Sequence, residues 1–226
     1  SAGMYGVRST AGVVGSFFAA HGHNLKFAQE AKSFLRIPVI AVGRITEPKM
    51  AEDVIASGMA DFVAMGRASL TDPHFPEKAK AGDFCDIRTC VGCLQGCTAS
   101  TYQGVPLYCL VNPELGHEYK YDYSKAERPK KILVAGGGVG GMEAARGAAM
   151  KGHEVHLYEE TDTLGGQFLT AAYPPAKGDF ATYSAWLKRQ LQKLGVDIHM
   201  NTALTKEIVE KEKPDKLTIL WRRRSR

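Results

Sequence analysis

Apolar residues recur at helical spacing from Asn24 to Leu35 (Leu25, Ala28, Ala31, Leu35). The period then collapses into an unbroken run of Ile37, Pro38, Val39, Ile40, Ala41 and Val42. The first pattern predicts an amphipathic helix and the second a short buried strand. The next stretch repeats the pair: Thr46 can cap a helix carrying Met50, Val54 and Ile55, Gly58 can end it, and Asp61 to Met65 read as a strand. Nearly all-apolar strands alternating with helices predict parallel β/α units. Both strands end alike, in Ala41-Val42-Gly43-Arg44 and Ala64-Met65-Gly66-Arg67.

That echo has a chemical reading. A glycine at the carboxyl end of a strand lets backbone N–H groups approach a phosphate, and an arginine adds charge and donors. In a β/α barrel the loops after the last two strands are the usual phosphate site. Gly43, Arg44, Gly66 and Arg67 are therefore candidate phosphate-binding residues. The plainer reading is that glycine often ends strands and arginine often follows.

From Asp83 to Arg128 the periodicity is poor, which predicts a loop segment followed by a polar linker through Tyr123 to Pro129. A new pattern opens at Lys130 and Lys131 with the strand Ile132 to Ala135, and Gly136, Gly138 and Gly141 complete G-x-G-x-x-G directly after it. An alanine-rich helix ending near Gly152 and a second strand, Val155 to Tyr158, follow, with Glu159 placed where an acid meets a ribose hydroxyl. This order predicts dinucleotide binding, against a merely structural α/β turn. Gly165-Gly166-Gln167 could hold the same nucleotide. Asp179 reads as the cap of a helix with Phe180, Tyr183, Leu187, Leu191 and Leu194 on its core face. Gly195 ends that helix, and Val196, Ile198 and Met200 alternate as a strand. The predicted divisions are 1–84, 85–128 and 129–226.

Four of the five cysteines, Cys90, Cys93, Cys97 and Cys109, fall in the loop segment as C-x2-C-x3-C followed by C-x11-C. Polarizable thiolates bind iron well, and three ligands in one tight loop plus a later fourth suit a four-iron cluster. Gly92 and Gly96 lie where the backbone must curl without Cβ clashes. A structural zinc site, more often built from two C-x2-C pairs, and a redox dithiol at Cys90 and Cys93 are the alternatives. Cys85 lies outside the array and reads as a buried small hydrophobe.

Charge and hydropathy narrow the partners. The net charge of +5 falls to +1 without Arg222, Arg223, Arg224 and Arg226, so nucleic-acid binding is not expected. No run approaches the length of a membrane span, and the apolar stretch Ala11 to Ala20 behind Arg8 continues into an amphipathic pattern, unlike a signal peptide. A cysteine array meant for iron favours a reducing, cytoplasmic interior. The expected partner is a small-molecule substrate, and oligomeric state is not legible.

Taken together, Val42-Gly43-Arg44, Met65-Gly66-Arg67, the Cys90 to Cys97 array, Cys109-Leu110-Val111-Asn112-Pro113, the glycine fingerprint and Gly165-Gly166-Gln167-Phe168 resemble one family. It is the iron-sulfur flavoenzyme group of bacterial 2,4-dienoyl-CoA reductase and trimethylamine dehydrogenase, within the old yellow enzyme superfamily. The resemblance runs nearly to Pro214. It implies an α/β chain: the C-terminal part of a (β/α)8 FMN barrel, an iron-sulfur segment, and a truncated Rossmann-like FAD-binding domain. By carry-over, Gly43, Arg44, Gly66 and Arg67 meet the FMN phosphate region. Cys90, Cys93, Cys97 and Cys109 hold a 4Fe-4S cluster, and Gly136, Gly138, Gly141, Glu159 and Gln167 meet FAD.

The implied activity is reduction of an activated C=C bond, in an enoate or dienoyl thioester, with electrons passing from NAD(P)H through FAD and the cluster to FMN. Alternatives are amine oxidation with electrons leaving through the cluster, and an electron-transfer or nucleotide-binding module without substrate chemistry of its own. No catalytic residue is assigned, because the family's earlier barrel strands, which supply the proton donor, have no counterpart after Ser1. The chain therefore reads as an internal fragment that is inactive alone. From Leu217 to Trp221 and the basic tail the family pattern is lost, as a shifted reading frame, an artificial end or a solvated tail would produce.

Overall fold

The computed structural model describes residues 14–220. The chain divides between Lys120 and Tyr121 into two compact units.

In the first unit, helix α1 (Leu25–Phe34), strand β1 (Ile40–Ala41), helix α2 (Pro48–Ala56) and strand β2 (Phe62–Val63) form the expected β/α pairs. The strands run parallel, with Ile40 opposite Phe62 and Ala41 opposite Val63. Val39, Ala41, Ile45, Val54 and Ala60 are buried together, and Leu25, Ala28, Met50 and Ala51 pack on them. Successive strand side chains point to opposite faces, so Ile40 and Phe62 project away from this core and stay 60% and 56% exposed. Both strands are shorter than their apolar runs predict. A ladder extends only as far as a neighbour supplies hydrogen bonds, and among the described residues β1 and β2 have only each other. Ahead of β1, the Asp61 carboxylate accepts from the Val39 N–H at 2.8 Å and from Lys32 at 2.5 Å. The Lys32 bond, then the Val39 bond, holds its pKa below the ordinary carboxylate value.

Thr46 does not cap α2. Pro48 opens that helix with Glu47 at its cap, since proline's fixed φ suits the first helical position, and the Thr46 hydroxyl instead lies 3.0 Å from His21 Nδ1. Helices α3 (Gly66–Thr71) and α4 (Phe75–Ala81) follow, sharing a small core of Ala68, Phe75 and Ile87. Among the described residues the remainder of the unit is loop apart from helix α5 (Thr98–Gln103) and short 3-10 turns at Phe84–Asp86 and Glu118–Lys120. Cys85 sits in the first of those turns and is exposed, not buried as its residue type suggests; a single turn with no buried face gives a small side chain nothing to pack into.

The second unit is a four-stranded parallel sheet in the order β5-β4-β3-β6: β3 (Lys131–Ala135), β4 (Glu154–Tyr158), β5 (Asp197–His199) and β6 (Lys216–Ile219). Helix α6 (Val139–Met150) crosses from β3 to β4, helix α7 (Gln167–Thr170) follows, and helix α8 (Asp179–Lys193) leads to β5. Leu133, Met142, Ala145, Leu157, Leu187 and Leu191 form the fully buried centre. Phe180 and Tyr183 are buried as predicted, Leu194 only partly, and Gly178 rather than Asp179 takes the cap position of α8. Helix α9 (Lys206–Glu212), not anticipated from the sequence, precedes β6.

One expectation is corrected here. Leu217 to Ile219, read as lying where the pattern is lost, continue the sheet: Leu217, Thr218 and Ile219 sit opposite Leu133, Val134 and Ala135 of β3. Trp221 and the arginines of the basic tail lie outside the described residues, as do Arg8 and the start of the Ala11 to Ala20 stretch. Among the described residues no helix is long and apolar enough to cross a membrane.

Candidate cofactor-binding sites

Cys90, Cys93, Cys97 and Cys109 line one pocket, together with Arg67, Thr71 and Tyr108. Gly96 makes the curl possible: a Cβ there would stand 2.1 Å from the Tyr108 carbonyl oxygen. The Gly96 carbonyl accepts from the Tyr108 N–H at 3.1 Å, which seats the loop of the first three cysteines against the residue before the fourth. All four are free thiols. Burial pushes the Cys90 and Cys93 thiols above their ordinary pKa. Cys109 adds to the rise at Cys90, and Cys109, Cys90 and Cys97 add to it at Cys93. Arg67 acts the other way on Cys90. Desolvated, mutually repelling thiolates need a cationic centre among them, and a soft thiolate set suits iron.

A second cavity of ≈ 370 Å³ is lined by His23, Gly43, Arg44, Gly66, Arg67 and Cys90. Arg67 and Cys90 thus belong to the walls of both spaces. Arg67 Nη1 and His23 Nε2 are buried and have no hydrogen-bond partner, which is uncommon for interior polar atoms and fits an anionic group. The Arg44 guanidinium donates to the carbonyls of Phe17 and Ala19 and packs beside Gly92, so part of it is taken up in shaping the cavity wall.

In the second unit, Gly136, Tyr158, Glu159, Thr205, Lys206 and Leu217 line a cavity of ≈ 480 Å³ at the carboxyl ends of β3 and β4, where parallel α/β sheets bind ligands. The Glu159 carboxylate accepts from the Gly137 N–H at 2.7 Å and from Thr161 N–H and Oγ1 at 2.9 and 2.7 Å. Gly141 is required by packing: a Cβ would stand 1.8 Å from the Gly136 oxygen. A Cβ on Gly138 would meet nothing within 4 Å, so that position faces space a pyrophosphate could enter. The Gly165 N–H donates to the Gly137 carbonyl at 2.8 Å, and Gly138 and Gly165 form a parallel bridge. Gln167 opens α7 two residues beyond that bridge and is not in the cavity wall.

Residues 10–84 match the NADH:flavin oxidoreductase / NADH oxidase family, and residues 131–218 match the FAD dependent oxidoreductase family. The chain belongs to the NADH:flavin oxidoreductase, old-yellow-enzyme-like superfamily. It has an N-terminal FMN-binding-like domain and a C-terminal Rossmann-like FAD-binding domain. Three of the solved structures similar to it show the range. 2-Naphthoyl-CoA reductase is 34% identical with a TM-score of 0.86, over 90% of this chain and 31% of that one. 6-Hydroxypseudooxynicotine amine oxidase from Pseudomonas geniculata N1 is 29% identical with a TM-score of 0.86, over 91% and 32%. Histamine dehydrogenase from Rhizobium sp. 4-9 is 27% identical with a TM-score of 0.84, over 92% and 31%. Curated relatives include enzymes named as reductases and others named as dehydrogenases of N-methylated amines. The chain spans less than a third of the length of those it matches at 39–43% identity.

In this superfamily member the sequence motifs leave Arg88 and Asp72 unmarked and give Asn112 no role. Arg88, buried just before Cys90, donates through Nε to the Thr71 carbonyl and through Nη2 to Asn112 Oδ1, both at 2.9 Å. Asn112, just after Cys109, donates to the Leu70 carbonyl at 2.8 Å. The two ends of the cysteine segment are thereby bolted to α3, which begins with Gly66 and Arg67. Asp72 completes the clamp, accepting from the Arg88 N–H at 2.9 Å and Lys78 Nζ at 2.6 Å. Replacing Asn112 by alanine strands buried donors and acceptors and is expected to destabilise the first unit by about 1–3 kcal/mol. Chemical denaturation of the chain would measure this, and an unchanged midpoint would refute the role.

Proposed function

We propose that the chain is the electron-relay portion of a flavin-dependent oxidoreductase, with a 4Fe-4S cluster on Cys90, Cys93, Cys97 and Cys109 beside an FMN phosphate held by Gly43, Gly66 and Arg67. The observation that carries this reading is the wall shared by the cysteine pocket and the anion-fitting cavity. When bound, such a cluster supplies one-electron exchange between two-electron flavin carriers. The chain's own tasks are to keep the thiols dry, to hold them through Arg88 and Asn112, and to offer Arg67 as phosphate donor. In the second unit, Gly136, Gly138, Gly141 and Glu159 would take the nucleotide of FAD, with Gly165 supporting the loop and Gln167 near it.

For the whole protein, amine oxidation has the broader support, since two of the three structural relatives above are an amine oxidase and histamine dehydrogenase. Reduction of an activated C=C bond with NAD(P)H is the second reading, favoured by the 2-naphthoyl-CoA reductase likeness. Anaerobic mixing of the full-length parent polypeptide with an N-methylated amine, or with NAD(P)H, separates them by electron paramagnetic resonance of the cluster. Reduction by the amine alone supports the first reading and by NAD(P)H alone the second. A cluster reduced by neither would overturn the relay role.

A further inference from the structure

His156 on β4 and Asp197 on β5 are register partners, and His199 stands two residues beyond Asp197, opposite Tyr158. Side chains two apart on a strand share a face, so His156, Asp197 and His199 converge on one side of the sheet edge. Their ligand atoms form a nearly equilateral triangle. His156 Nδ1 lies 3.2 Å from Asp197 Oδ2, His199 Nε2 lies 3.1 Å from the same oxygen, and the two nitrogens are 3.4 Å apart.

The hydrogen bonding around the triangle leaves room for a positive centre inside it. His156 Nε2 donates to Glu154 Oε1 at 2.8 Å, which leaves Nδ1 of the neutral ring as a lone pair facing a carboxylate oxygen and a second imidazole nitrogen. In the tautomer that carries its proton on Nδ1, His199 turns a second imidazole lone pair into the same space, and the three acceptors then stand at a spacing that a bound cation would fill. A carboxylate holding the far nitrogen of a histidine is also the usual outer partner of a metal-bound imidazole. The Tyr158 ring stacks on His199 at 4.3 Å and fixes that ligand as well.

We propose that His156, Asp197 and His199 form a binding site for a divalent late first-row metal ion of the zinc class. Tetrahedral zinc takes imidazole and carboxylate ligands at about 2.0–2.2 Å, and an ion at that distance from all three atoms sits about 0.8 Å above their plane, leaving a fourth position for water. Two imidazoles and one carboxylate suit zinc, nickel or cobalt over magnesium or calcium. The ion would cross-link the edge strand β5 to β4, next to the Tyr158 wall of the nucleotide cavity. The site shares no residue with the cysteine pocket and does not depend on the relay reading.

Titration of the full chain with Zn²⁺, and separately with Co²⁺, tests this against His156→Ala, His199→Asn and Asp197→Asn. The cysteines are the same in all four proteins, so thiol binding cancels in the differences. The chain should take up one more equivalent of Zn²⁺ than each variant, or bind that equivalent at least tenfold more tightly. The Co²⁺ difference spectrum should show visible d–d bands without the near-ultraviolet charge transfer of thiolate ligation. Equal uptake by all four would overturn the site. Should a histidine variant fail to fold, Asp197→Asn decides alone, because its side chain is 58% exposed.

Discussion

Gly138→Val is expected to abolish binding of ADP and FAD to the second unit and leave its fold intact, whereas Gly141→Val is expected to unfold it. The two glycines belong to one fingerprint but face different things. Gly138 has φ −66° and ψ 171°, a conformation open to any residue, and its absent Cβ points into empty space. A valine there costs about 1 kcal/mol as a poorer helix cap, yet it fills the space that pyrophosphate must cross to reach the backbone N–H groups. At Gly141 the same change drives a side chain into the Gly136 carbonyl, 1.8 Å from where its Cβ would lie. Core overpacking of that kind costs upward of about 3 kcal/mol. Calorimetry with ADP and circular dichroism melts separate the outcomes. Equal ADP affinity in Gly138→Val and the unaltered chain would remove the nucleotide from this loop.

Anaerobic incubation with iron and sulfide is expected to turn the chain brown, with a broad visible band and about four irons bound, and Cys93→Ser or Cys97→Ser to remove both. The effect is large because a serine oxygen is a hard ligand where the cluster needs a soft one. Cys85→Ser supplies the contrast: it is exposed, outside the pocket and expected to change nothing. Iron and acid-labile sulfide assays read the result. Stoichiometric zinc uptake with no iron would replace the cluster with a structural metal.

The sequence announced what depends on short-range pattern and missed what depends on tertiary neighbours. Strand-glycine-helix order placed β3, α6, β4 and Glu159 within a residue or two, because a tight strand-to-helix turn constrains consecutive positions. The cysteine spacing was legible for the same reason, and the pocket brings together all four residues it marked. Strand lengths in the first unit were overestimated, since apolar runs record what a strand can bury rather than how far a partner accompanies it. Helix α9 was overlooked although Thr205 caps it through the Ile208 N–H; its polar sequence offers no apolar stripe. Arg88 and Asp72 went unmarked because a buried arginine and aspartate look like surface residues until the contacts of Arg88 with Asp72, Thr71 and Asn112, each 16 or more residues away, are known.

The bolt formed by Arg88, Asn112 and α3 separates the closure of the cysteine loop from its length. Residues 101–106, inside the loop, are exposed and make no part of that clamp. Lengthening a closed loop adds only about 0.6 kcal/mol for each doubling. Variation can therefore accumulate at this outer arc, adding or deleting residues and altering what the arc presents, while the ends that carry Cys90 and Cys109 stay in register.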